Sequence, residues 1–160
     1  TGRRGRPGAM IDKRVVAAAG VAVVAPLLIY FEGYRERTYL DVVDVPTVCV
    51  GHTGPDVIIG KTYTEQECAD FLRQDLLIVD AAISASVRVP LTENQRAALQ
   101  SLILNIGVGA FLRSTLLRLL NLGDYDGAAK QFDRWVLAKG QRIQALVNRR
   151  AQERALFEAP

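Results

Sequence analysis

Carboxylate and hydroxyl side chains that could perform acid–base chemistry lie close together between residues 32 and 52. They are Glu32, Glu36, Asp41, Asp44, Thr47 and His52. Two carboxyl groups that flank a glycosidic bond can cleave it, one as general acid and the other as base. Glu32 closes an apolar stretch, where weak solvation favours a protonated acid, whereas Asp41 lies in a polar turn and should be ionised. Composition alone favours a simpler alternative, in which these groups are solvated charges on a hairpin surface.

Length and composition indicate one globular domain. The chain has 160 residues, of which 49% are hydrophobic and 23% are charged, so it can bury a single well-packed core. We interpret residues 1–9 as a remnant of an expression vector and Met10 as the native start. Without the three arginines of that remnant, 17 basic residues face 17 acidic ones. This near-neutral balance predicts no nucleic-acid partner. With one histidine and two cysteines, no metal site is expected.

An apolar segment without any charge covers 17 residues, 15–31. As a helix it would be about 25 Å long, which is shorter than the ~30 Å hydrocarbon core of a bilayer. Its valine, leucine, isoleucine and phenylalanine side chains favour membrane insertion by only about 3–5 kcal/mol in total. A cleaved signal peptide would need small residues before the cut, and the sequence after the segment has none there. A permanent anchor, a buried core helix and a marginal anchor that later leaves the bilayer remain as alternatives.

The remaining elements indicate an α+β fold, with a small N-terminal β-lobe and a larger helical lobe. Residues 35–59 are rich in valine, threonine and tyrosine and predict a hairpin or a three-stranded sheet. Capping boxes at residues 64–67 and 92–95 predict helices that begin at Glu65 and Glu93. Further helices are predicted from Thr115 to Leu122, from Asp124 through Trp135, and over about 143–157.

The spacing of three residues resembles the catalytic triad of the phage-type lysozymes, or endolysins. Eight residues separate Glu32 from Asp41, and five separate Asp41 from Thr47. Further matching blocks follow in the same order over residues 31–157. These blocks are Gly51-His52-Thr53-Gly54, Leu91-Thr92-x-Asn94-Gln95-x-Ala97-Ala98-Leu99, Asn105-x-Gly107, Ser114-Thr115-Leu116-Leu117, Trp135 and Asn148-Arg149-Arg150.

The resemblance implies an N-acetylmuramidase that hydrolyses the β-1,4 bond between N-acetylmuramic acid and N-acetylglucosamine in peptidoglycan. Glu32 would be the general acid, and Asp41 and Thr47 would position or activate water. The family is regarded as inverting, which requires roughly 6.5–9.5 Å between the two carboxyl groups. No cofactor is implied. Five residues in the family's cleft blocks are carried over as substrate-binding positions: His52, Thr53, Asn105, Ser114 and Gln131. For His52, a hydrogen bond within the β-lobe is the favoured role.

Three further expectations concern two departures from the family pattern and a pair of basic residues. Asp44 stands where many relatives have glycine, and aspartate tolerates the left-handed conformation that such a turn needs. Cys49 could form a disulfide with Cys68, which in an oxidising periplasm would stabilise the β-lobe by about 3 kcal/mol; two buried thiols are the alternative. Arg149 and Arg150 are interpreted as charges at a helix end.

With this resemblance, residues 10–31 look like the uncleaved signal-arrest-release (SAR) segment of one endolysin subgroup, followed by a catalytic domain over 32–160. The enzyme would be exported, held inactive in the host inner membrane, and then released as a monomer into the periplasm. Timing would depend on a holin or pinholin. The alternatives are a membrane-tethered peptidoglycan-binding protein without activity, a single-span interaction protein, and a glycosidase acting on chitin-type substrates.

Overall fold

A computed structural model describes residues 21–41 and 44–160, and within them the fold is α+β, as predicted. The helices are α1 Val21–Glu32, α2 Glu65–Ser86, α3 Glu93–Ile106, α4 Val108–Leu112, α5 Thr115–Asn121, α6 Tyr125–Gln131 and α7 Gln144–Glu158. The strands are β1 Arg35–Leu40, β2 Pro46–Cys49, β3 His52–Thr53, β4 Leu137–Ala138 and β5 Gln141–Arg142. Both the proposed vector remnant and the beginning of the apolar segment lie outside the described residues.

The predicted three-stranded sheet is formed by β1, β2 and β3 in antiparallel order. Thr47 pairs with Tyr39 on one side and with Thr53 on the other, so it occupies the centre of the sheet. Asp44, in the turn between β1 and β2, adopts a left-handed conformation with φ of 61°. The turn therefore forms without a glycine, as predicted.

Both predicted capping boxes are confirmed. The hydroxyl group of Thr64 accepts a hydrogen bond from the backbone N–H of Glu67, and the Glu67 carboxylate accepts one from the backbone N–H of Thr64. Thr92 and Gln95 form the same reciprocal pair at the start of α3. These caps satisfy backbone donors that would otherwise be unpaired at each helix start.

The second half of the apolar segment is α1, a helix packed into the protein core. Val24, Ala25 and Leu28 are at most 3% exposed and pack in one cluster with residues of α2 and α3, among them Leu72 and Leu76. This is the arrangement expected for a buried core helix. Over residues 21–41 and 44–160, no helix has both the length and the apolar character required to cross a bilayer.

The chain between α6 and α7 differs from the prediction. The helix expected from Asp124 through Trp135 ends at Gln131 and continues as one 3₁₀ turn, Phe132–Arg134. A two-stranded hairpin, β4 and β5, follows, and its turn places Lys139 and Gly140 at positive φ. The helical spacing of apolar residues continues past Gln131 through Phe132 and Trp135, although of these two only Phe132 is fully buried. The spacing therefore did not show where the helix ends.

A disulfide joins Cys49, at the end of β2, to Cys68 in the second turn of α2. Both cysteines are buried, in a cluster with Val48, Val57 and Tyr63. The bond therefore ties the sheet to the helix that leads into the larger lobe.

Candidate active site

Glu32 is the last residue of α1 and points at the turn between β2 and β3. A Cβ atom added to Gly51 in that turn would lie 2.9 Å from the Glu32 Cδ atom, so a larger residue would displace the carboxyl group. Gly51 also has a φ of 70°, which favours glycine. The Glu32 side chain is 25% exposed and pairs with the Arg149 guanidinium, which also lies over the Phe31 ring. The carboxyl group is thus fixed in direction while still open to solvent.

Asp41 and Thr47 are connected through the backbone of Val45. The Val45 N–H donates to the Asp41 carboxylate at 2.9 Å, and its carbonyl accepts from the Asp41 N–H at 3.0 Å. The same carbonyl accepts from the Thr47 hydroxyl at 2.9 Å. Thr47 is 3% exposed, so its hydroxyl group has a fixed orientation. The hydroxyl oxygen retains acceptor capacity for a further donor such as water.

Tyr39 lies near both Glu32 and the hairpin that carries Asp41 and Thr47. The residue lies on β1 opposite Thr47. Burial raises the pKa of the Tyr39 phenol, the negative charges of Glu32 and then of Asp41 raise it further, and Arg35 opposes the shift. Tyr39 is therefore close enough to respond to both carboxylates, and nothing in the sequence pattern singled it out.

A cavity of about 120 Å³ opens beside the Glu32 carboxyl group. It extends between the β-lobe and α2 and α3, and Gly51, Thr53, Asp75 and Leu104 contribute to its wall. A second, more open cavity of about 300 Å³ lies in the helical lobe, lined by Thr115, Gln131, Arg134 and Trp135. Polar side chains and an indole ring in the same wall suit a carbohydrate, which presents both hydroxyl groups and an apolar ring face.

The interpretation of Arg149 and Arg150 as helix-end charges is wrong. Both residues are at most 5% exposed, and between them lies Glu153, which is 0% exposed. Arg149 contacts Glu32, Glu153 and Ser101, while Arg150 contacts Glu153, Asn105 and the Trp135 carbonyl. The sequence signal that could have revealed them is the carboxylate four residues after Arg149 and three after Arg150, a spacing that places all three on one helix face.

His52 is held by two carboxylates. Its ring is 6% exposed and stacks on Phe71 with the ring centroids 4.1 Å apart. Nδ1 lies 2.7 Å from the Asp75 carboxylate of α2, and Nε2 lies 3.2 Å from that of Asp56. Burial alone would lower the pKa of His52, but the hydrogen bonds and charges of Asp75 and Asp56 outweigh it and raise the pKa. Because both ring nitrogens are engaged, these contacts favour the structural role.

Replacing His52 by asparagine is expected to destabilise the fold more at acid pH than at alkaline pH. The stabilisation from a raised folded-state pKa is fully present below the ordinary histidine value of about 6.5 and is lost as the pH rises through the raised value. We expect a loss of about 2 kcal/mol at pH 6 and less at pH 9. Urea unfolding of both proteins at the two pH values measures this. An equal loss at both would contradict the ion pairs and leave only packing on Phe71.

The other predicted substrate-binding residues lie in different environments. Thr53 lines the cavity beside Glu32, and Gln131 lines the second cavity. The Asn105 side chain accepts a hydrogen bond from Arg150. The Ser114 hydroxyl caps α5, since it accepts from the Leu117 N–H at 3.0 Å and donates to the Phe111 carbonyl at 2.6 Å. Thr53 and Gln131 are therefore the two whose surroundings fit a ligand directly.

A β-lobe and a helical lobe around a carboxyl group at a helix end define a glycoside hydrolase with the lysozyme fold. The family model described as phage lysozyme matches residues 29–153, and the chain belongs to this family.

Individual relatives agree with this assignment. A SAR-endolysin of Enterobacteria phage P21 is 42% identical, over 90% of this chain and 93% of its own length. A point variant of P22 lysozyme has 45% identity and a TM-score of 0.74, covering 86% of this chain and 97% of that one. The muramidase domain of SpmX from Asticaccaulis excentricus has 34% identity and a TM-score of 0.77, covering 91% and 98% respectively.

Proposed function

We propose that this chain is an endolysin that cleaves the β-1,4 bond between N-acetylmuramic acid and N-acetylglucosamine in peptidoglycan. Glu32 acts as the general acid and protonates the leaving glycosidic oxygen. Asp41 and Thr47 hold and activate the attacking water, or stabilise the positive charge that develops on the sugar. The observation that carries this proposal is the geometry of Glu32, whose carboxyl group lies against Gly51 at the mouth of a cavity.

The division of roles follows from the surroundings of the two carboxylates. The Val45 N–H donates to the Asp41 carboxylate and fixes its direction. A carboxylate held in a fixed direction can position a water molecule or face a developing positive charge. Glu32 lies between apolar residues of α1 and the wall of the cavity, where Leu28 and Val50 are neighbours. This setting leaves the Glu32 carboxyl group open to a ligand in the cavity, while Arg149 fixes its direction.

The glycan strand would lie along the two cavities, with Thr53 near the cleaved bond and Gln131 and Trp135 in the helical lobe. Trp135 packs against the hydrophobic core of the helical lobe, which agrees with a structural role, and it also forms part of the wall of the second cavity. Asn105, held by Arg150, and Ser114, the cap of α5, would contribute by shaping the cleft floor.

We also propose that residues 10–31 hold the enzyme inactive in the inner membrane of the host until it is released into the periplasm. The match to the P21 SAR-endolysin covers 90% of this chain. Even if all the unmatched residues lay at the N-terminus, the match would include part of the apolar segment, and this supports the proposal. The decisive physical point is that Val24, Ala25 and Leu28 cannot lie in lipid and in the core at once. Glu32 lies four residues after Leu28 on the same helix, so the anchored form lacks the α1 packing that positions this carboxyl group.

The estimated contributions of apolar residues to the two states are of the same order of magnitude. Burial of Val24 and Leu28 in the core contributes roughly 3–6 kcal/mol together, and membrane insertion of the whole segment contributes about 3–5 kcal/mol. A modest change, such as loss of the membrane potential caused by a holin or pinholin, could therefore shift the balance towards release.

Analysis of the reaction products tests the bond specificity. Purified peptidoglycan digested by this protein is expected to gain reducing ends of N-acetylmuramic acid, which borohydride converts to muramitol. Reducing ends of N-acetylglucosamine would show cleavage of the other glycosidic bond. Anhydromuramic ends would show a non-hydrolytic reaction, and either result would overturn the proposed function.

A further inference from the structure

Glu153 is a carboxylate with 0% exposure in the middle of α7, and it lies between two buried guanidinium groups. One oxygen accepts from Arg149 Nε at 3.0 Å and from the Ser101 hydroxyl at 2.7 Å. The other oxygen accepts from Arg150. A buried charge is strongly unfavourable unless it is paired and hydrogen-bonded, and here both oxygens are satisfied.

The two arginines connect this carboxylate to opposite sides of the cleft. Arg149 reaches the Glu32 carboxyl group, and its second terminal nitrogen donates to the Ser101 carbonyl at 3.1 Å. Arg150 reaches Asn105 and donates from Nε to the Trp135 carbonyl at 2.8 Å. Burial lowers the pKa of Arg150, and the charge of Glu153 counteracts this. Glu153 therefore sits where the acid and the helical wall of the cleft share one hydrogen-bond network.

The charges in this cluster balance when Glu32 is ionised. Arg149 and Arg150 supply two positive charges, and Glu153 and Glu32 supply two negative ones. Without Glu153, two buried cations would face Glu32 alone and would favour its ionised form. A general acid must instead be able to hold its proton near neutral pH.

Building on the proposed role of Glu32 as the acid, we propose that Glu153 is a charge-balancing positioning residue, which shares Arg149 with Glu32 and offsets the positive charge that the two buried arginines place beside the acid. The other charged or titratable groups around Glu32 belong to different elements. They are Tyr39 on β1, Asp41 after β1 and Asp75 of α2, which lines the same cavity. Glu153 acts on Glu32 through Arg149, whose Nε lies 3.0 Å from the Glu153 carboxylate.

Two substitutions and their double variant test this through the pH dependence of the clearing rate. Glu153→Gln leaves the cluster one charge too positive, and its alkaline limb is expected to shift by about one unit to lower pH, with KM changed less than twofold. Arg150→Gln leaves it one charge too negative and is expected to shift the limb to higher pH. The double variant restores the balance, and its limb is expected to return to the wild-type position.

Glu158→Gln is the matched control, because Glu158 lies on the same helix and pairs with Arg154 at an exposed site. Its pH profile is expected to equal that of the wild type. Opposite shifts in the two single variants cannot arise from loosened packing alone. If Glu153→Gln does not fold, Arg150→Gln and the double variant still give a comparison. Limbs that coincide in all folded variants, or that shift in the same direction, would overturn the proposal.

Failure of the proposed role of Glu153 can be distinguished from failure of the proposed function. If Glu32→Gln stays active, Glu32 is not the acid and the proposed mechanism fails. If Glu32→Gln is inactive while the alkaline limb is the same with and without Glu153, only the role of Glu153 fails.

Discussion

Glu32→Gln is expected to lower the rate at which the protein clears outer-membrane-permeabilised Gram-negative cells by about 10²–10⁴-fold, the contribution typical of a general acid. Glutamine has nearly the same shape and can still accept a hydrogen bond from Arg149, but it cannot give a proton to the leaving sugar. The loss is therefore expected in kcat, with substrate binding nearly unchanged. Turbidity measured at several substrate concentrations separates the two.

Glu36→Gln is the control for this substitution. Glu36 lies on β1 only four residues away, and its exposed carboxylate contacts the Tyr34 hydroxyl at 3.3 Å. The same chemical change there should leave the rate within about twofold of wild type, as expected for a surface site. Equal clearing by wild type and Glu32→Gln would mean that the acid is another residue. No clearing by the wild type, with a working control lysozyme, would favour the peptidoglycan-binding alternative.

Local signals in the sequence predicted most of the fold because they act over a few residues. The capping boxes at Thr64 and Thr92 satisfy backbone donors within one turn, so they mark the helix starts without knowledge of the tertiary structure. The stop of α6 at Gln131 was missed, because it depends on the β4–β5 hairpin and on the contact of the Trp135 carbonyl with Arg150. That contact spans 15 residues and has no local signature.

In the candidate site, too, local sequence signals indicated some residues, and only the tertiary structure revealed the others. The spacing of Glu32, Asp41 and Thr47 pointed to the chemistry through resemblance, but the residues that support it come from distant parts of the chain. Arg149 is 117 residues from Glu32 and reaches it because α7 and α1 both pack against α3. A basic pair on a helix is typical of a solvated surface, and only the tertiary structure shows that this pair is buried.

Inserting four leucines after Ala19 is expected to trap the enzyme in the membrane. The apolar segment would grow from 17 to 21 residues, or to about 31 Å as a helix, which matches the ~30 Å hydrocarbon core. The added leucines would favour insertion by about 1–2 kcal/mol, enough to shift a balance between states of similar energy. Val24, Ala25 and Leu28 would then stay out of the core, and Glu32 would not reach Gly51.

Fractionation of expressing cells and culture turbidity after membrane depolarisation measure the outcome. The leucine variant should remain in the membrane fraction and should not lyse the cells. An insertion of four serines at the same place should still permit release and lysis. Detergent extraction should restore clearing of permeabilised cells by the leucine variant, because α1 can then pack against α2 and α3; this separates trapping from misfolding. Lysis by the leucine variant at the normal time would show that the apolar segment does not control activity. Stronger anchoring would then have failed to delay the formation of α1.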